Sequence, residues 1–420
     1  MSDVFDLTGE LPTGTTVLEA SAGTGKTHTI AALAARYVAE GVARIDELML
    51  VTFGRAATVE LRERVRERLV GTAAVLADPE AARASADVVE RHLATGPADV
   101  VDVRRERLAH AVANFDAATI ATTHGFCHQM LAGLGVAADV DGDLTFTETA
   151  SEVVAEVAGD LYLRAYARPG SAPPPISYAQ ALSVANAAVG DRQARLEPVA
   201  ADPDSEADVR RRLAGRARTE VEQRKRSRRV MDYDDLLVHL RDALVDPSTG
   251  ADARSRVRSR YRVVLVDEFQ DTDPVQWEIL ESAFHGHRTL VLIGDPKQAI
   301  YAFRGADVVT YLHATGTAAV TETLGTNWRS DADLVRGLSH VLGGAALGDE
   351  RITVHPVEAA HAGRRLRGAP DDSPVRLRVV DRTELRPGRA DVLAVKDVRP
   401  YVARDVAAAV RHGPPRPGGR

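Results

Sequence analysis

Short apolar runs alternate with longer stretches of helical period over the first 134 residues. Thr16-Val17-Leu18 reads as a buried strand, and Ile30, Leu33, Ala34, Tyr37 and Val38 then recur at helical spacing. Leu48 to Thr52 predicts a second strand. Ala56 to Leu69 predicts an amphipathic helix with Leu61, Val65 and Leu69 facing inward. This alternation is the α/β pattern. From about Gly135 to Arg229 the pattern changes to an alanine-rich, mostly helical text broken by Pro173-Pro174-Pro175, as expected of an inserted helical subdomain. The alternation resumes near Tyr233. Val263 to Val266 and Leu290 to Ile293 are continuous apolar runs, as parallel strands buried on both faces require. Beyond Val341, Val375 to Val380 predicts a strand and Tyr401 to Val410 a helix. The closing Gly413-Pro414-Pro415-Arg416-Pro417-Gly418-Gly419-Arg420 cannot pack as regular structure, and reads as a linker, a cut end or a frameshifted tail.

The step from the first strand to the first helix carries the strongest chemistry. Ala20-Ser21-Ala22-Gly23-Thr24-Gly25-Lys26-Thr27-His28 lies between them. Strand, glycine-bearing loop and helix start form the context of a phosphate-binding loop. Gly23 and Gly25 let the backbone curl so that successive N–H groups face phosphate oxygens, and the helix N-terminus adds partial positive charge. Lys26 would reach the β- and γ-phosphates, and the Thr27 hydroxyl would hold Mg²⁺. The first glycine of the usual loop pattern is Ala20 here.

Charge and composition narrow the reading. A chain of 420 residues predicts two or three domains, and 45% hydrophobic content supports packed cores. The net charge of −7 means that any nucleic-acid affinity must come from local basic surface. A single cysteine, Cys127, excludes an intramolecular disulfide framework and fits a cytoplasmic location. No signal-peptide core or run of about 18 apolar residues points to a membrane. Lysine stands only at 26, 225, 297 and 396, while the other 49 of the 53 basic residues are arginine. A compact ammonium suits a crowded phosphate pocket better than a planar fork does.

Two further motifs leave predicted strands at their C-terminal ends, where open α/β sheets bind ligands. In Val266-Asp267-Glu268-Phe269-Gln270-Asp271, Asp267 is placed to bind Mg²⁺ and Glu268 to orient and deprotonate the attacking water. A solvated helix-start pair would present the same two carboxylates. In Gly294-Asp295-Pro296-Lys297-Gln298, Gln298 can donate to the γ-phosphate or hold the water. Phe303 beside Arg304 suits base stacking with phosphate contact, while core packing is the other reading of Phe303 taken alone. The basic run from Arg210 to Arg229, interspersed with Glu220 and Glu222, is either a DNA-facing patch or a solvated helix.

Taken in order, the loop at 20–28, Thr52-Phe53-Gly54-Arg55, Thr122-Thr123-His124-Gly125-Phe126-Cys127, Asp267-Glu268-Phe269-Gln270-Asp271, Gly294-Asp295-Pro296-Lys297-Gln298 and Asn327-Trp328-Arg329-Ser330 resemble the superfamily I, UvrD-like DNA helicases. Within these the chain is most similar to the N-terminal part of the exodeoxyribonuclease V beta-subunit branch. Phe5-Asp6-Leu7, the Leu18 to Thr27 segment and Gly125 carry that similarity, since a serine would be expected at 125 in the AddA-like branch. Ala20 is usual in this family. The resemblance implies a RecA-like P-loop NTPase fold: 1–134 and 230–320 would form motor domain 1A, 135–229 an inserted 1B-like helical subdomain, and 321–420 the start of an incomplete second motor domain. It implies ATP and Mg²⁺ as cofactors, DNA as substrate, and RecC-like and RecD-like partner subunits. Arg329 would contact the γ-phosphate, and Thr52, Phe53, Thr123 and His124, with Phe303 and Arg304, would contact single-stranded DNA. Adenine would lie near Phe5 to Gly14, where no conventional glutamine stands.

Later motifs of the family, among them a Thr/Ser-Lys-Gly-Leu-Glu-type segment, do not occur between Val341 and Arg420, nor does a nuclease signature. The expectation is therefore the front part of a 3′–5′ helicase subunit, with three alternatives: a shortened ATP- and DNA-binding module that does not unwind, another UvrD-like or AddA-like repair helicase, or a structural partner whose missing half another chain supplies. Alone, these residues should bind Mg-ATP and turn it over slowly.

Overall fold

The structure is a computed structural model that describes residues 3–134, 145–146, 150–167, 173–192, 194–299, 308–365, 373–379 and 395–411. The chain forms two compact units, one of residues 1–20 and 26–323, the other of 21–25 and 324–420.

The first unit is built on a seven-stranded sheet in the order β1-β9-β2-β8-β7-β3-β4. Its strands are β1 (Asp3–Val4), β2 (Thr15–Glu19), β3 (Leu48–Thr52), β4 (Thr119–Thr122), β7 (Val263–Val266), β8 (Thr289–Gly294) and β9 (Val320–Thr323), and every pairing is parallel. β2, β3 and β7 are buried at every position, as continuous apolar runs covered on both faces should be. Between strands run α1 (Lys26–Ala39), α2 (Arg55–Val75), α3 (Pro79–Arg83), α4 (Val88–Leu93), α5 (Ala98–Ala113) and α6 (Thr123–Leu134). Leu61, Val65 and Leu69 of α2 are buried, as the spacing predicts. α1 is buried nearly all round, and its Arg36 and Tyr37 donate to the Leu7, Gly9 and Pro12 carbonyls, tying down the N-terminal segment.

The inserted region is helical: α7 (Ser151–Tyr166), α8 (Tyr178–Gly190) and α9 (Glu206–Arg228) share a core of Val154, Val157, Ala185, Ala217 and Val221. A short parallel pair, β5 (Thr145–Phe146) with β6 (Val230–Met231), closes its base. The basic run at 210–229 lies on α9 and the residue after it, and most of its charges are neutralised. Arg210 pairs with Glu206, Arg211 and Arg212 with Asp208, Arg224 with Asp160, and Arg228 with Glu156. The chain returns to the sheet through α10 (Tyr233–Val245), α11 (Gly250–Arg260), α12 (Pro274–Phe284) and α13 (Val308–Thr317).

The second unit contains β10 (Thr326–Asp331), α14 (Ala332–Leu342), β11 (Ala346–Leu347), β12 (Asp349–Thr353), β13 (Glu358–His361) and α15 (Val395–Arg411). β10 pairs with β13 in parallel, and β11 with β12 antiparallel. The predicted helix at 401–410 lies inside α15. The predicted strand at 375–380 is not formed over its described residues, 375–379. Its alternation meets no partner strand among the described residues, and Leu377 and Val379 are more than four-fifths exposed.

Candidate active site

The parallel sheet places the C-terminal ends of its strands along one edge, and the motif residues of the first unit leave from there. Register sets their neighbours: Glu19 of β2 stands beside Gly294 of β8, Val266 of β7 beside Leu292 of β8, and Thr52 of β3 beside Thr122 of β4.

The loop after β2 has the backbone its glycines permit. Gly23 and Gly25 take φ of 84° and 85°, a region open to glycine at little cost. Thr24 closes the loop locally: its N–H and hydroxyl both donate to the Ser21 carbonyl, at 3.1 and 2.8 Å. Within the second unit, the Asn327 amide donates to the Ala22 carbonyl at 3.0 Å and the Trp328 N–H to the Gly23 carbonyl at 2.8 Å. A methyl group on Gly23 would meet the Arg329 Cβ at 2.8 Å. Arg329 thus belongs to the strand that carries these bonds. Ala20, with its N–H on the Gly294 carbonyl at 2.8 Å, is fully buried.

Lys26 and Thr27 open α1. The Lys26 ammonium sits 2.7 Å from Glu268 Oε2, with 13% of the lysine side chain exposed. The same Glu268 oxygen accepts from the Gln270 amide at 2.7 Å, and Gln270 Oε1 accepts the Asp295 N–H at 2.9 Å. Gln270 therefore bridges the ends of β7 and β8. The motif text contains Gln270 but gives no sign of this role, because the bridge depends on the adjacency of two strands. Gly294 makes room for it, since a Cβ there would meet Gln270 Oε1 at 2.9 Å. Glu268 itself holds a left-handed backbone, φ 50°, a cost a non-glycine residue bears where neighbours over-determine it.

Burial, and then the neighbouring Glu268 carboxylate, push Asp267 up to about 7 against the opposing pull of Lys26. Burial and Glu268 likewise raise Asp271 to about 6. Three carboxylates crowd one ammonium, an electrostatic setting that a divalent cation would relieve. The raised Asp267 has a direct consequence. Between pH ~4 and ~7 the unfolded chain has released this proton and the folded chain has not, so stability falls as pH rises through that window. Asp267→Asn is expected to raise the melting temperature of the nucleotide-free protein at pH 8 by several degrees, the gain vanishing near pH 4. Thermal melts across that range check it. A divalent cation at this carboxylate would compete with the same proton, so metal-nucleotide affinity should rise as pH passes upward through 7.

Lys297 lies between Glu19 at 3.2 Å and Asp295 at 2.9 Å, and the Gln298 amide donates to Asp295 Oδ2 at 2.6 Å. Gln298 is thereby held at the same strand end as Glu268's bridge. His28 lines a cavity of about 450 Å³ beside Thr27, with Glu60, Arg64 and Arg68. Burial and the Arg68 guanidinium hold its imidazole below the ordinary histidine range.

Among the residues expected to meet DNA, Thr52 is buried at the end of β3 and its hydroxyl has no hydrogen-bond partner among the described residues. Phe53 is half-buried. Thr123 is buried at the start of α6, and the partly exposed His124 lies 4.0 Å from Asp234. Phe303 and Arg304 lie outside the described residues.

A parallel sheet with a glycine loop on α1, a lysine on the strand-end glutamate and a buried aspartate beside it defines a P-loop nucleotide-binding motor domain. The description "UvrD/REP helicase N-terminal domain" matches residues 8–319, and the chain belongs to that helicase family. It is 52% identical over 409 residues to "RecBCD enzyme subunit RecB" of Mycolicibacterium smegmatis, covering 97% of this chain and 37% of that protein. It is 48% identical over 410 residues to the protein of the same description from Mycobacterium tuberculosis, again covering 97% of this chain and 37% of the relative. The Escherichia coli protein of that description is 38% identical over 177 residues, 41% of this chain and 15% of its own length. The chain thus spans well under half the length of these curated relatives.

Proposed function

We propose that this chain carries the nucleotide-binding motor core of an ATP-dependent 3′–5′ DNA helicase subunit of the RecBCD type. The observation that carries the reading is the Lys26–Glu268 ion pair at the head of α1 and the end of β7. It joins the residue read as the phosphate-binding lysine to the one read as the general base. In this reading the 20–25 loop and Lys26 hold the phosphates of ATP. Thr27 and Asp267 hold Mg²⁺, which supplies charge neutralisation to the β- and γ-phosphates when bound. Glu268 orients and deprotonates water, Gln298 steadies that water or the γ-phosphate, and Arg329 stabilises charge on the transferring group. His28, lining the cavity beside Thr27, completes the nucleotide-binding set, and the adenine would be held around Phe5 to Gly14.

Residues 1–134 and 230–320 serve as the first motor domain, 135–229 as a 1B-like insertion and 321–420 as part of the second motor domain. The strand ends carrying Thr52-Phe53 and Thr123-His124, with Phe303 and Arg304, form the track for single-stranded DNA. Duplex ends, RecC-like and RecD-like partners and a cytoplasmic location accompany the RecBCD-type reading, and among the described residues no helix is long and apolar enough to cross a membrane.

Fluorescence anisotropy of a labelled oligothymidylate tests the DNA side. The chain is expected to bind it, with an affinity that changes when Mg-ATP is added, because two ligands that bias one motor are thermodynamically linked. Replacing Thr123 and His124 together by alanine should weaken binding about tenfold, the loss of roughly 1.4 kcal/mol. Unchanged binding in that variant would remove these residues from the track.

A further inference from the structure

Lys225 is one of only four lysines, and it is 1% exposed. It stands in the last turn of α9, the long final helix of the insertion. Its ammonium lies 2.6 Å from Asp232 Oδ2 and 2.5 Å from Asp235 Oδ2. Those two aspartates also form the capping box of α10: the Asp232 N–H donates to Asp235 Oδ2 at 2.8 Å, and the Asp235 N–H to Asp232 Oδ1 at 3.0 Å. Arg192, just after α8, adds a second cation at the rim, 2.9 Å from Asp235 Oδ1 and 3.4 Å from Asp232 Oδ2, with its remaining contact to Glu222. Two buried carboxylates thus meet two cations, and the half-exposed Glu222 stands at the edge.

The division between the cations follows their shapes. The planar guanidinium approaches from the partly open side, whereas the interior position, closed on all sides, takes the compact three-donor ammonium. A chain that writes arginine almost everywhere keeps lysine here. Buried ion clusters of this kind are weak sources of stability, because an apolar cluster of the same volume would serve as well. What charge does supply is a fixed register between the parts it joins.

Those parts are the insertion and the DNA-facing edge of the motor. α10 starts at this cluster and packs against α6 and α12 through buried Leu236, Leu237 and Leu240. Asp234, between the two clamped aspartates, lies 4.0 Å from His124 in the first turn of α6. A shift of the first turn of α10 therefore reaches the Thr123–His124 step directly.

We propose that Lys225 is a positioning residue that locks the end of the insertion to the first turn of α10, and through it sets the placement of Thr123 and His124 for single-stranded DNA. The lock rests on the geometry above, and its consequence for DNA rests on the proposed role of Thr123 and His124. The insertion and this strand end then move as one piece.

Hydrogen–deuterium exchange on the full chain, comparing the parent with Lys225→Met, tests the lock without any ligand. Exchange is expected to quicken about tenfold in two segments, 233–237 and 122–126, while 19–30 around the phosphate loop stays as in the parent. Quickening confined to 225–237, or spread evenly over the whole chain, would overturn the proposal. Should Lys225→Met fail to fold, the charge-balanced pair Lys225→Met with Asp235→Asn leaves Arg192 facing Asp232 and carries the same expectation. Oligothymidylate binding forms the second arm. An affinity loss of about fivefold with unchanged Mg-ATP binding is expected. Altered exchange at 122–126 with unchanged DNA affinity would leave the lock standing and refute the DNA role of Thr123 and His124.

Discussion

Lys26→Ala is expected to weaken Mg-ATP binding about a hundredfold, in keeping with the ~3 kcal/mol that loss of a desolvated charged partner costs. The ammonium is the cation nearest a group of three carboxylates, at 2.7 Å from Glu268 and opposing the raised proton affinities of Asp267 and Asp271. Removing it has two effects of the same sign. The triphosphate loses its most direct positive partner, and it must enter beside carboxylates that no longer face a counter-cation. On the roles proposed above, nucleotide would draw Lys26 from Glu268 to the phosphates and free the glutamate to face water. Titration of a fluorescent ATP analogue into parent and variant reads the loss directly.

Glu268→Gln is expected to separate binding from chemistry. Glutamine has nearly the shape of glutamate and keeps an oxygen for the Gln270 amide, so the bridge from Gln270 to Asp295 survives. It no longer holds Lys26 by charge, so Mg-ATP should bind as tightly as in the parent, or a few-fold tighter. The carboxylate that would take the proton from water is gone, and general-base removal costs about 10²- to 10⁴-fold in rate. Single-turnover release of inorganic phosphate, measured beside binding on the same protein, checks both halves. Equal loss of binding and hydrolysis would instead make Glu268 a structural partner of Lys26.

The strands that carry the site were legible because they are continuous apolar runs: Leu48 to Thr52 and Val263 to Val266 stand where the text places them. The loop glycines announced their own conformation, and Gly23 and Gly25 adopt it. The Gln270 bridge and the Lys297–Glu19 pair were not legible, because they depend on which strands become neighbours in the sheet. β9 was hidden for another reason. Val-Thr-Glu-Thr has no apolar run, and this strand, which straddles the expected boundary at 321, pairs with β2 in the first sheet. The opposite error occurred at 375–379, where alternation alone reads as a strand but no partner strand exists among the described residues. Lys225 shows the limit of composition: its rarity marks it, yet only the fold shows that it lies between Asp232 and Asp235.

The nucleotide site is tested most directly by isothermal titration of ATP into the chain, with magnesium and with magnesium removed by a chelator, for the parent and for Lys26→Ala. The predicted result is saturable one-to-one binding by the parent that weakens without magnesium and is nearly abolished by the substitution. Parent-like binding by Lys26→Ala, or no binding by the parent at any magnesium concentration, would contradict it.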